Sequence, residues 1–128
     1  MKILIVEDEL LIAHASKLHL EGQGFTVIGM ATDEKGFKDS LSKDPDVILM
    51  DVTLKNGGNG IDLVNKLRES GDFTPVIFTT GNSRLKSLEE IEDIEKSCVV
   101  SKPVVFQELM NKIQDCYKTM KNKEGGQG

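Results

Sequence analysis

The sequence predicts a single-domain α/β fold, a doubly wound (βα)5 chain around a five-stranded parallel sheet. Three observations predict it. Apolar, β-branched segments recur five times along 128 residues, and continuous apolar runs suit strands buried on both faces. Stretches with helical spacing separate them, and strand–helix alternation builds a parallel sheet through right-handed crossovers. The length fits one domain and buries a core without a disulfide or metal staple.

Each element has its own justification. The first strand is Ile3–Val6, and Leu11, Ala15 and Leu18 mark the helix after it, which Gly22 and Gly24 end. Thr26–Ala31 is the second strand. Phe37 and Leu41 mark the second helix, and Asp44, Pro45 and Asp46 stop it. Val47–Met50 is the third strand. A glycine-rich turn, Asn56 to Gly60, separates it from a helix marked by Ile61, Val64 and Leu67. Gly71 and Pro75 bracket the approach to the fourth strand, Val76–Thr79. Leu85, Leu88, Ile91 and Ile94 mark the fourth helix, with Glu89, Glu90, Glu92, Asp93 and Glu95 facing water. That acidic face is a solvated surface on the plain reading and a partner-docking surface on the sharper one. Val99–Val100 forms the fifth strand. Phe106, Leu109 or Met110, Ile113, Tyr117 and Met120 mark the last helix. The domain is expected over residues 1–120, with 121–128 a polar tail or linker.

Composition narrows the function. The net charge is −5, from 16 basic and 21 acidic residues, and the chain lacks the basic face that a nucleic-acid binder carries. Direct nucleic-acid binding is not expected. Apolar runs of four residues are far too short to span a membrane. The run after Lys2 is cut short by Glu7 and Asp8, so no signal peptide is read and the expected location is the cytoplasm. Cys98 and Cys116 are the only cysteines. A disulfide between them stays open, but a reducing cytosol argues for simple packing. No zinc-type cluster or P-loop is present. His14 and His19 do not share a helix face, which argues against a joint metal role.

The chemistry concentrates at the strand ends, because open α/β sheets bind ligands outside the carboxyl ends of their strands. Strand one ends in Glu7 and Asp8, strand three in Asp51, strand four in Thr79 and Thr80, and strand five in Ser101, Lys102 and Pro103. Like charges about 4–5 Å apart repel by roughly 3–4 kcal/mol at an effective dielectric of 20. Three carboxylates therefore call for counter-charge. Lys102 supplies one positive charge, and an all-oxygen site of this kind suits Mg²⁺. A carboxylate can act as a nucleophile toward phosphorus, and a hydroxyl and an ammonium can hold the remaining phosphoryl oxygens. Strand alternation points Thr79 and Thr80 to opposite sides, so only one faces the site. Alone, each residue also has a plain reading: a solvated acidic turn, a turn-capping aspartate, a surface lysine.

With these residues in hand, ILIVEDE, VILMD, PVIFTTG and SKP together resemble the receiver domain of two-component response regulators, over residues 1 to about 120. The resemblance implies a flavodoxin-like fold and a phosphoryl-accepting signalling domain, not an enzyme beyond assisting its own phosphorylation and dephosphorylation. It implies Asp51 as phosphoacceptor, and Glu7, Asp8, Asp51 and the Thr53 backbone carbonyl around Mg²⁺. It further implies Thr80 as the switch hydroxyl and Lys102 as the conserved-type lysine of the motif. The implied partners are a sensor histidine kinase or histidine phosphotransfer protein, and a downstream protein meeting helix four, strand five and helix five. Thr53 and Asn82 match positions flanking the path of attacking water.

Two departures stand out. The loop from Val52 to Gly60 is one residue longer than the commonest pattern and lacks its proline, matching a variant found in receivers that serve sensor kinases. Val99 stands where the family usually has an aromatic residue, so the expected switch runs without a moving ring. The enzyme alternative, a Mg²⁺-dependent phosphatase, wants a carboxylate two residues after the nucleophile, where Thr53 stands.

Overall fold

The computed structural model describes residues 1–54, 58–81 and 85–125. The strands are β1 (Lys2–Val6), β2 (Thr26–Ala31), β3 (Val47–Asp51), β4 (Val76–Thr80) and β5 (Ser97–Ser101). The helices are α1 (Leu10–Gly22), α2 (Glu34–Ser40), α3 (Gly60–Glu69), α4 (Leu85–Glu92) and α5 (Phe106–Gly125), with a 3₁₀ turn at Leu41–Lys43 after α2. All strands pair parallel, in the order β2-β1-β3-β4-β5. The expected doubly wound sheet is the observed one.

Alternation along the strands divides the core in two. Leu4, Val6, Ile48, Met50, Val76 and Phe78 meet α2, α3 and α4 through Phe37, Ile61, Val64, Leu67 and Ile91, and Ile94 joins them from just past α4. On the other face Ile3, Ile5, Val47, Leu49, Ile77 and Val100 meet α1 and α5 through Ala13, Leu20, Leu109, Met110 and Ile113. Every residue of β3 and β4 is buried, as continuous apolar runs require of central parallel strands.

Local chemistry sets the helix starts. Asp33 caps α2 by accepting from the Gly36 N–H at 2.9 Å. Asn59 caps α3 by accepting from Ile61 N–H at 2.8 Å and Asp62 N–H at 3.4 Å. Both side chains satisfy N–H groups that the first helical turn leaves open.

Three sequence expectations need correction. The helix-one stripe of Leu11, Ala15 and Leu18 is not the buried face. Ala13, Ser16 and Leu20 are buried, while Leu11 and Leu18 are 88% and 71% exposed. The helix is apolar on several sides, and Ala13 and Leu20 are the residues that join the core. The cysteines are not simply packed: Cys98 on β5 and Cys116 on α5 form a disulfide. Finally, Ile94, expected on helix four, lies past its end at Glu92, while α5 runs to Gly125.

Candidate functional site

The strand order reverses direction between β1 and β3, and such a reversal opens a crevice at the carboxyl ends of the two strands. Glu7 and Asp8 follow β1, and Asp51 closes β3. Oxygens of the Glu7, Asp8 and Asp51 carboxylates all lie within 4.8 Å of one another. Glu7 and Asp51 are buried, at 5% and 4% exposure, so water screens their repulsion poorly.

Lys102 enters from the end of β5. Its Nζ lies 3.0 Å from Asp51 Oδ2 and 3.4 Å from Glu7 Oε1. Its backbone N–H donates to the Thr80 carbonyl at 2.8 Å, which fixes the lysine beside the end of β4. The Lys102–Pro103 peptide bond is cis. The Thr53 N–H donates to Asp51 Oδ1 at 3.1 Å, so the two carboxylate oxygens of Asp51 have separate partners. Thr79 and Thr80 are both buried at the end of β4, and Thr79 pairs in register with Asp51.

The electrostatics follow from this crowding. Burial, then the hydrogen bond and charge of Asp51, push the Glu7 carboxyl from 4.5 up to about 8, against the opposing charge of Lys102. Burial pulls the Lys102 ammonium down, but the hydrogen bond and charge of Asp51 and the charge of Glu7 outweigh it and raise its pKa. The donor set is wholly carboxylate oxygen, the chemistry that hard divalent cations take.

Gly60 is a site residue that the sequence reading treats only as part of a turn. It starts α3, and its N–H donates to the Val52 carbonyl at 2.8 Å. A Cβ at this position would overlap the Asp51 carbonyl oxygen and come 2.7 Å from Met50 Cγ. The helix therefore sits directly against the backbone of Asp51. Nothing local in the sequence reports this approach.

Other expected residues are placed as follows. Thr53 is exposed and forms an isolated bridge with Asn59. Val99 is half-buried against the α2–α4 core and pairs in register with Phe78. Asn82 and residues 55–57 of the long loop lie outside the described residues. Glu89, Glu90, Glu92, Asp93 and Glu95 are exposed as expected. A cavity of about 400 Å³ lined by Asp46, Phe73, Thr74 and Tyr117 lies at the amino end of the strands, away from this chemistry. Among the described residues, no helix is long and apolar enough to cross a membrane.

A two-core parallel α/β domain with an acidic, lysine-bridged site at the β1/β3 crevice defines a class: signalling domains that accept phosphoryl groups on aspartate. The chain belongs to the response regulator receiver domain family, whose model matches residues 3–114. It is 32% identical over 112 residues to the transcriptional regulatory protein YkoG of Bacillus subtilis, covering 88% of this chain and 49% of that protein. It is 46% identical over 81 residues to the phyllosphere-induced regulator PhyR of Methylorubrum extorquens, covering 62% of this chain and 30% of PhyR. A Francisella response regulator receiver domain superposes with a TM-score of 0.80 at 26% identity, covering 92% of this chain and 97% of that one. The chain spans about half the length of the curated relatives it matches, or less.

Proposed function

We propose that Asp51 accepts a phosphoryl group from a phosphohistidine and that the modified domain switches a protein-interaction surface. The observation that supports this best is the lysine-bridged carboxylate cluster. An Asp51 carboxylate oxygen attacks phosphorus, a P–O bond forms, the P–N bond breaks, and the imidazole leaves with a proton. Thr53 N–H and Lys102 orient the carboxylate, and Lys102 and the Thr80 hydroxyl then hold phosphoryl oxygens. Mg²⁺, held by Asp8, Asp51 and the Thr53 carbonyl with Glu7 beside it, would supply positive charge against the phosphoryl oxygens.

The donor is a sensor histidine kinase or histidine phosphotransfer protein. Leu10 and Leu11, at the start of α1 next to Asp8, are exposed, as is Leu18 further along the helix, and solvent-facing leucines on one helix support docking there. The output partner meets α4, β5 and α5, where Ile91 holds α4 to the core and Glu89, Glu90 and Glu92 face solvent. The domain acts as a switch in the cytoplasm and not as a phosphatase of other substrates, since Thr53 stands where a general acid is needed.

Intact mass spectrometry tests the reading. With acetyl phosphate and Mg²⁺ the chain should gain one phosphoryl group. Asp51→Asn should gain none, and Asp8→Ala should lose the Mg²⁺ dependence with the fold intact. A phosphoryl adduct on Asp51→Asn, or no adduct on the parent chain, would overturn it.

A further inference from the structure

We propose that Cys98 and Cys116 form a reversible oxidation site that staples the second half of α5 to the edge of the sheet. The two residues lie 18 apart in sequence with Cα atoms 6.7 Å apart, within the span a disulfide bridges. Both are half-buried, so a small oxidant or reductant can reach them.

The location gives the bond a consequence. β5 is an edge strand with one neighbour, β4. Among the described side chains of α5, residues 106–118, the buried ones are Leu109, Met110 and Ile113, and Phe106 stacks on His19 at 3.8 Å between ring centres. From residue 114 to 118 no side chain is buried. Only Cys116 and the partly buried Tyr117 engage the sheet in that stretch. The crosslink therefore anchors a part of the helix that apolar burial does not hold.

The chemistry balances with a hydroperoxide as oxidant. One thiol gives up two electrons to the O–O bond and becomes a sulfenic acid, releasing water when the oxidant is hydrogen peroxide. The second thiol attacks that sulfur, the S–S bond forms and a second water leaves. A dithiol reductant returns both thiols by exchange and is itself oxidised to a disulfide. In the chain-entropy picture, closing a loop of this length shifts the opening equilibrium on the order of a hundredfold.

The test uses the full chain without any phosphodonor, so its outcome is separable from that of Asp51 labelling. Dithiol-reduced protein is treated with hydrogen peroxide, alkylated, weighed and digested with trypsin. The mass should fall by two hydrogens, and peptide 97–112 should be joined to peptide 113–118. A dithiol should restore both thiols under native conditions. Amide exchange over residues 114–125 should slow by tenfold or more in the oxidised form, and Cys116→Ala should show no change with peroxide. Cysteines that stay alkylatable in excess peroxide would overturn the proposal. So would crosslinks only between chains, a bond that a dithiol does not reduce, or exchange over 114–125 indifferent to redox state.

Discussion

Replacing Gly60 with alanine would drive a methyl group into the backbone of β3 at Asp51. The new Cβ would overlap the Asp51 carbonyl oxygen and sit 2.7 Å from Met50 Cγ and 3.1 Å from Asp51 C. The Met50 side chain can yield, but the Asp51 backbone is paired to β4 at Thr79. The start of α3 must therefore move outward and weaken the Gly60 N–H to Val52 carbonyl bond of 2.8 Å. Overpacking costs about 1–3 kcal/mol and the hydrogen bond about 1, offset by less than about 1 from helix propensity. The net is about 1–3 kcal/mol, or roughly 4–12 °C in Tm for a domain of this size. Gly22→Ala is the control, since a Cβ there meets nothing within 4 Å and should leave Tm within about 3 °C. Moving the α3 start off Val52 loosens the turn that brings the Thr53 N–H to Asp51 Oδ1, which should also slow acetyl phosphate labelling several-fold. A Gly60→Ala protein that melts within about 2 °C of its parent and labels at the same rate would refute the reasoning.

Further outcomes follow from the same geometry. Glu7 keeps its proton in the folded chain up to about 8 against 4.5 unfolded, so its contribution to stability is full below 4.5 and is lost as pH rises through about 8. Without divalent cations, Glu7→Gln should gain about 3 kcal/mol on the parent between pH 5 and 8, as urea titrations at both pH values would show; a constant difference contradicts it. Lys102→Met should cost about 2–4 kcal/mol at pH 8, where it leaves Glu7 and Asp51 facing each other without a cation, and less at pH 5, checked by the same titrations. Mg²⁺ should raise Tm more at pH 8 than at pH 6, because cation and proton compete for the carboxylates, and chelation should reverse the gain in calorimetry. Asn59→Ala should cost about 1–2 kcal/mol by removing the α3 cap, read from the thermal midpoint.

The central strands were legible because each is a continuous apolar run with a polar residue at its end, and those polar ends line the candidate site. Glu7, Asp8, Asp51, Thr80 and Lys102 could be grouped from sequence, since a parallel sheet brings all its carboxyl ends to one edge. What stayed hidden depends on contacts between distant segments. In α1, Leu10 to Ala13 and Leu18 to Leu20 offer apolar residues on several faces, and only packing selects Ala13, Ser16 and Leu20. Gly60 looks like any residue of a glycine-rich turn until α3 is laid against Asp51. Cys98 and Cys116 pair because β5 and α5 lie side by side, which spacing alone does not reveal.

The charge balance of the site connects its stability to its proposed switching. Glu7, Asp8 and Asp51 face one ammonium, so the resting arrangement is short of positive charge. The two apolar cores hold β1, β3 and β4 fixed, and the carboxylates cannot relax apart. The group placed to respond is at the rim: Lys102, whose side chain is partly exposed. Adding a doubly charged phosphoryl group to Asp51 draws Nζ off Glu7 and Asp51 and toward the new oxygens. The Lys102 N–H is bonded to the Thr80 carbonyl, so a pull on this lysine reaches the ends of β4 and β5 together. That route needs no aromatic ring at Val99, and it leads to α4 and α5, the face proposed for the output partner.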